Sequence, residues 1–387
     1  MVPADLTEEE KKYIYKNGKG KYIFTPIYEK YNELFFDQVI ENMGITVAYN
    51  AFKDTAIYER YMLNTLQFSA AKSASEAKLM QSELFDGDKV KSYDKFSKDV
   101  EDIAHVTQET WLRVEYETAR RQTVAGAQFA SMQEDADLYP YWVYRGVMDD
   151  REREEHVELE GQVFRIGDPD GDAVFPPDDF NCRCTGDPVD DQYLDENKLT
   201  VNTNEQAAAL LKEHVAPEFQ YNAAVQGPMP NDSSYADVFH SANDGNAEYF
   251  GLPDPDDETE LTGLAAKGLQ HILAVVMEWR RDYHVDQMHN IVFQNKKTLT
   301  NVRLADSTIH EIAKHSRGFE NIPATIEKAD EIWMHWENPK EQRVVLRNYL
   351  LFGRSCYMVK TKDGKIIDAF AVSRRGINKY RKGVIVK

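Results

Sequence analysis

Cysteine is scarce in this chain of 387 residues, with three in all. So few cannot build the disulfide framework of a small secreted domain. Two of them, Cys182 and Cys184, stand one residue apart, a spacing that rarely bridges well. Long apolar runs are missing as well. The longest, Ile272–Met277, falls far short of the ~20 residues a membrane-spanning helix needs, so no membrane segment is expected. The opening "MVPADLTEEEKK" lacks the basic-then-apolar pattern of a secretory leader, and synthesis in a reducing cytoplasm is the expectation. Positive charge is short overall, since 46 Lys and Arg face 66 Asp and Glu for a net −20. The shortage is uneven: residues 340–387 hold 13 basic and 3 acidic side chains, a local +10, against −30 over residues 1–339. Such a tail reads either as a segment that meets a polyanion or as a solvated basic face on an ordinary domain.

What is present suggests more than one core, because the length exceeds what a single core supports. Residues 1–45 read as an N-terminal arm, punctuated by Gly18 and Gly20, with a helix near Tyr28–Asn42. From about Ala48 to Gln133 the pattern is helical and poor in proline, and Gly87 breaks it into at least two long helices. Tyr141–Tyr144 is aromatic and β-branched, as a short strand is. Loops rich in Gly, Pro and Asp follow, and then the cysteine pair. Residues 191–260 read as an acidic linker, with one helix at Glu205–His214. The last block, 261–387, begins with a helix whose apolar face carries Leu264, Leu269, Ile272, Leu273 and Val276. A short helix capped by Thr308 comes next, with Gly318 past its end. Strands are then predicted at Glu331–Trp336, Val344–Leu350, Ser355–Thr361, Ile366–Ser373 and Gly383–Val386, with a hairpin turn at Asp363-Gly364. Helices followed by an antiparallel meander make this block, and the chain, α+β.

The cysteines belong to an ordered constellation: "DDREREEH" at 149–156, "LEGQVF" at 159–164, "FPPDDF" at 175–180 and "NCRC" at 181–184. It resembles the signature of the Mu F-like phage head morphogenesis family. The matching positions are Asp149, Arg151, His156, Leu159, Gly161, Pro177, Asn181, Cys182, Arg183 and Cys184, with Arg153 as a second arginine. The resemblance covers roughly 50–185 and supports a domain at 46–190. It implies a minor capsid protein, present in few copies inside the phage head near the portal, with portal and capsid proteins as partners.

Two chemical readings of the cysteine cluster stand side by side. In the leading one, His156, Cys182 and Cys184 form a small hydrogen-bonded fastening that pins the loop at 165–180, with Arg151 and Arg183 paired to nearby carboxylates. In the other, the three are ligands of a structural zinc, with Asp149 or water as the fourth.

The block at 261–387 resembles the phage members of the barnase–EndoU–colicin–RelE class of ribonucleases, through "TIHEIAKHS" and the strands carrying Arg354, Tyr357 and Ser373. That resemblance implies metal-independent RNA cleavage with no cofactor. Such chemistry needs a base, an acid and cations for the phosphorane. His310 is the expected base, placed in the first turn of the helix that Thr308 caps, and His315 is its alternative. The hairpin at Asp363-Gly364 pairs Lys362 with Lys365 and, counting back, Arg354 with Ser373. It sets Cys356, Met358 and Lys360 on one face, and Tyr357, Val359, Phe370 and Val372 on the other. Arg354 and Lys360 would hold phosphate, Ser373 would position substrate, and Arg374, Arg375, Arg381 and Lys382 would grip flanking phosphates. The expectation is therefore a protein of the virion interior, made in the host cytoplasm. Its tail either cleaves RNA after delivery into the host cell or binds packaged DNA or a capsid partner without turnover.

Overall fold

The computed structural model describes residues 7–17, 23, 25–47, 55–87, 89–105, 107, 111–230, 235, 247–252, 269–295, 298, 300–315, 317–353, 356–373 and 376–386. The architecture is α+β, as expected, and falls into two compact units. The first draws on 1–20, 26–51 and 68–239, the second on 21–25, 52–67 and 240–387.

The first unit opens with helices α1 (Glu8–Asn17), α2 (Thr25–Val47) and α3 (Thr55–Ser82), the last giving its residues up to Gln67 to the second unit. A tight hairpin, β1 (Phe85–Asp86) and β2 (Lys89–Val90), follows. Gly87 takes its turn at φ 60°, a conformation glycine adopts without steric cost, and this is the helix break foreseen from the sequence. Helices α4 (Tyr93–His105) and α5 (Leu112–Glu134) complete the helical part. Their packing encloses Lys72, a fully buried ammonium. It is tolerated because Glu76 and Glu115 lie 3.3 and 3.1 Å away, and Tyr31 and Tyr235 donate hydroxyl hydrogen bonds to those same carboxylates.

A small antiparallel sheet follows, ordered β4 (Val163–Arg165), β3 (Tyr141–Arg145), β5 (Thr185–Val189). Strand β3 alternates as the pleat demands, and both of its faces are covered. Trp142 and Tyr144 join Phe129, Met132, Phe164 and Phe175 in one core, while Tyr141 and Val143 meet Val163, Val189 and Leu194 in another. Short helices α6 (Glu154–Val157) and α7 (Pro169–Ala173) interrupt the loops between the strands. Residues 191–226, expected as part of a linker, fold onto this lobe instead. They form α8 (Asp191–Asn197), α9 (Asn204–His214) and α10 (Ala223–Gln226). Asp190 and Thr203 cap the first two, the latter through a reciprocal box with Gln206. The reason is apolar burial: Leu194 covers one side of the sheet, and Ala207, Leu211 and Phe219 extend the core on the other.

In the second unit, α11 (Leu269–Asp282) precedes β6 (His284–Val285), β7 (Ile291–Gln294) and β8 (Asn301–Leu304), three strands the sequence reading missed. Helices α12 (Asp306–His315) and α13 (Ile322–Lys328) lead into β9 (Glu331–Trp336), β10 (Val345–Leu351), β11 (Cys356–Lys362), β12 (Lys365–Val372) and β13 (Val384–Ile385). Together they make one eight-stranded sheet, ordered β13-β9-β10-β11-β12-β8-β7-β6, in which the expected meander is the centre. One sheet face carries Ile332, Tyr349, Tyr357, Val359, Ile366 and Ala369, and Ile309 and Ile312 of α12 and Ile322 and Ile326 of α13 share that core. On the same face, buried Arg347 reaches Glu59 of α3 at 2.7 Å.

Candidate functional site

The cysteine loop is held from several directions at once. Gln122 of α5 donates to the carbonyl of Pro177 at 3.0 Å, Arg121 to that of Cys182 at 2.9 Å, and Gln128 to that of Gly186 at 2.9 Å. Arg153 donates to the carbonyl of Phe180 at 2.8 Å. These donors satisfy carbonyls that a loop without ladder partners would otherwise leave unpaired. Asn181 takes a positive φ of 60°, which asparagine tolerates better than most residues and which turns the chain into the Cys-x-Cys segment. Asp149 and Arg183 form a two-pronged pair at 2.6 and 2.7 Å, closing the ends of the signature on each other. The Arg183 guanidinium holds the Asp149 carboxyl well below its ordinary range. Arg151 is exposed and gives its backbone N–H to Asp149.

Beneath this surface clasp lies the buried chemistry. His156, on α6, and Cys182 and Cys184, just before β5, are all buried, and their donor atoms lie within 4.8 Å of one another. His156 Nδ1 stands 3.7 Å from each sulfur. A fourth group, which the sequence reading did not single out, completes the cluster. Glu152 Oε1 accepts from the Cys184 thiol at 3.2 Å and lies 3.5 Å from His156 Nδ1. Its other oxygen accepts the backbone N–H of Val147 at 2.9 Å. The spacing of Glu152 and His156, four residues apart, was the available signal. Asp178, fully buried, accepts from the Tyr144 hydroxyl at 2.5 Å.

The electrostatics of the cluster favour a positive charge within it. Burial opposes the charged form of His156, but the contact with Cys184 and the charge of Asp178 outweigh it and raise the imidazole above its ordinary value. Burial also works against ionised Glu152, yet hydrogen bonds from Cys184 and Val147 keep its carboxyl below the usual range. Cys184 is pushed up by the adjacent Cys182 and by burial. Burial lifts Asp178 to about 7 in spite of the Tyr144 bond.

Of the residues expected to form a nuclease site, only some lie among the described residues. Arg354, Arg374 and Arg375 lie outside the described residues, as does the side chain of His315. Helix α12 starts at Asp306, so Thr308 is inside the helix rather than its cap, and His310 falls beyond the first turn, exposed. Lys360 follows core residue Val359 on a regular strand and therefore points to the sheet face opposite α12. His310 and Lys360 thus stand on opposite sides of the sheet. The hairpin register also corrects the expected pairing. Lys362 faces Lys365 as predicted, but a bulge skips Ile367, so that Lys360 faces Asp368 and Cys356 faces Val372. The expected pairing of Arg354 with Ser373 lies outside the described residues, because Arg354 does. Phe370 and Val372 move to the face of Met358 and Cys356, away from Tyr357 and Val359. Ser373 is exposed, and its hydroxyl accepts the N–H of Gly376.

Of the expected phosphate-gripping residues, Lys382 is exposed, whereas Arg381 is buried with both prongs on Glu331. The same Glu331 accepts from the indole of Trp333 at 2.8 Å, so Arg381 serves the interior. His335 is a further polar residue that the sequence reading passed over. Burial lowers its ring below the ordinary value, and the nearby cations of Lys382 and Lys360 add to this.

Comparison with known proteins gives the class to which this lobe, with its Asp–Arg clasp and buried His–Cys–Cys knot, is similar. Residues 79–186 match the family described as "Phage Mu protein F like protein". Among individual proteins, the chain is similar to "Putative capsid assembly protein F" of Escherichia phage Mu. The two are 42% identical over 69 residues, covering 18% of this chain and 16% of that protein. It is also similar to "Mu-like prophage FluMu F protein" of Haemophilus influenzae, 30% identical over 94 residues, covering 24% and 23% respectively. The chain thus spans less than a quarter of the length of these relatives. No solved structure matches it. No helix among the described residues is long and apolar enough to cross a membrane.

Proposed function

We propose that this chain acts in phage head assembly as a minor capsid protein, its Mu F-like lobe docking on capsid or portal proteins inside the head. The observation that carries this reading is that the family match ends within β5, on the lobe whose signature residues close on one another through Asp149–Arg183 and the buried cluster. The second unit travels with the lobe as a binding domain for packaged DNA or a capsid neighbour. That choice over a ribonuclease effector rests on the separation of His310 and Lys360 across the sheet and on the burial of Arg381.

Mass spectrometry of density-purified particles of the phage that encodes the chain tests the first claim. The chain is expected in the particle, protected from added protease until the head is opened. Its absence from particles, or digestion on intact heads, overturns the interior assignment. Incubating the full chain with RNA in chelator tests the second. No cleavage is expected, and products ending in 2′,3′-cyclic phosphate would restore the enzymatic reading.

A further inference from the structure

The buried cluster under the Asp149–Arg183 clasp holds more than a hydrogen-bonded fastening requires. We infer that Glu152, His156, Cys182 and Cys184 are the four ligands of a structural zinc ion. The geometry carries this. A tetrahedral zinc shell has metal–sulfur distances near 2.3 Å, metal–nitrogen near 2.0–2.1 Å and metal–oxygen near 2.0–2.2 Å, which sets neighbouring donors about 3.3–3.8 Å apart. His156 Nδ1 is 3.7 Å from both sulfurs and 3.5 Å from Glu152 Oε1, and that oxygen is 3.2 Å from the sulfur of Cys184. These four separations already match such a shell, and the two sulfurs lie within 4.8 Å of each other.

Donor chemistry narrows the metal. Two thiolates and an imidazole suit zinc and exclude the hard, oxygen-seeking cations. An iron–sulfur cluster held by thiolates alone would need four cysteines. Only Cys356 remains besides this pair, and it lies in the second unit. The fourth ligand is Glu152 and not Asp149, because both oxygens of Asp149 are engaged by Arg183. With four protein ligands, all from buried side chains, the shell has no open position for substrate, which marks a structural site. On binding, each thiol gives its proton to solvent and bonds as thiolate; nothing is oxidised. Two thiolates and a carboxylate then leave the site one negative charge, and Arg153 and Arg183 lie close enough for His156 and Glu152 to feel them.

Supporting groups around these donors are in place. Glu152 Oε2 is fixed by the N–H of Val147, and the Cys182 carbonyl by Arg121. The ion would join α6 to the end of the long loop between β4 and β5, two pieces of chain that share no ladder hydrogen bonds.

The test uses the full chain, expressed with zinc in the medium and purified without chelator. Elemental analysis is expected to find one zinc per chain, and thiol titration of the folded protein to show Cys182 and Cys184 protected until zinc is stripped. Cys184→Ser is expected to lose the metal. Because that variant could also misfold, cobalt replaces zinc in the wild-type chain, where thiolate-to-metal charge-transfer bands and intense visible bands report a tetrahedral two-sulfur site. Glu152→Gln is expected to keep the charge-transfer bands, alter the visible ones and weaken zinc at least tenfold, while Asp149→Asn leaves stoichiometry at one. A chain that stays metal-free after zinc dialysis overturns the inference, as does a Cys182–Cys184 disulfide found by mass measurement. Loss of zinc from Asp149→Asn with full retention in Glu152→Gln overturns the fourth ligand.

Discussion

Replacing Arg347 with methionine tests how the second unit tolerates charge at the centre of its sheet. Arg347 is fully buried in β10, with one prong 2.7 Å from Glu59 of α3. The other donates to the hydroxyls of Thr300 at 2.9 Å and Tyr349 at 3.1 Å. Methionine fits the volume but strands Glu59, whose carboxylate is buried and whose Oε1 has no hydrogen-bond donor among the described residues. Breaking a buried pair from one side costs about 3–5 kcal/mol, mostly the penalty of the orphaned charge. That origin predicts a pH dependence. Burial already raises the Glu59 carboxyl above its ordinary value, and Arg347 is what pulls it back; without Arg347 it rises further. A carboxyl raised by folding is harmless below its unfolded pKa, where it is protonated in both states. It costs stability as pH climbs through the folded value. The deficit of Arg347→Met should therefore be largest at pH 8 and shrink toward pH 5, and adding Glu59→Gln should recover most of it at pH 8. Urea unfolding followed by tryptophan fluorescence measures this, since Trp333 and Trp336 sit buried on the adjacent strand. A deficit below about 1 kcal/mol at pH 8, or one that grows toward pH 5, would refute the reasoning, because the penalty would not be that of a stranded carboxylate.

Four other outcomes can be measured. A methyl group on Gly186 would stand 2.4 Å from the ring of Phe175, itself packed against Phe129 and Trp142, so Gly186→Ala should cost roughly 1–3 kcal/mol and Phe175→Leu in the same chain should return part of it. Burial lifts the Asp172 carboxyl to about 7 against the pull of the Gly167 N–H, so its ionisation penalises folding as pH rises from 4 to 8; Asp172→Asn should stabilise the chain by roughly 2–4 kcal/mol at pH 8 and by nothing near pH 4, read from urea midpoints at both. Stripping the inferred zinc should lower the first thermal transition, since free metal at 100 times its dissociation constant adds about 2.7 kcal/mol by mass action, and an unchanged transition counts against the ion. If the second unit grips DNA through surface cations, Lys382→Ala should reduce the salt slope of binding by about one, whereas Arg381→Met should leave the slope alone and lower the unfolding midpoint.

How far the sequence foretold this structure differs from element to element, for physical reasons. The strands Glu331–Trp336 and Cys356–Lys362 were found to within a residue because β-branched and aromatic runs end at turn residues. Strands β7 and β8, four residues each, are too short to establish a period. The bulge at Ile367 has no local signal, since neither glycine nor proline marks it, and a one-residue slip there reversed the faces assigned to Phe370 and Val372. The stretch 191–226 was misread for a related reason. Its Asp, Asn and Pro residues describe the turns correctly, but Leu194, Leu211 and Phe219 lie too far apart to register as a face until the β3 sheet gathers them. In the cysteine loop, the order of Asp149, His156, Asn181 and the two cysteines was legible at once. Glu152 hid among the acidic residues of "DDREREEH", where its four-residue step to His156 was the one cue and the 3.5 Å distance in space bears it out.

The basic tail shows why counting charge and locating it are different operations. A local +10 over residues 340–387 invites a nucleic-acid interface. Yet Arg347 is enclosed with Glu59, Arg381 with Glu331, and Lys362 lies 2.8 Å from Glu337. Each of these carboxylates precedes the tail in sequence, so the excess arises partly from drawing a boundary between partners. Arg347 and Arg381 are unavailable to phosphate, because releasing either would leave a buried carboxylate unpaired, whereas the Lys362–Glu337 pair is exposed and holds its lysine only weakly. Lys382, one residue from Arg381, faces solvent with no such tie among the described residues. Whatever affinity the second unit has for a polyanion must come from residues of that second kind, which is a smaller and more local surface than the sequence total implies.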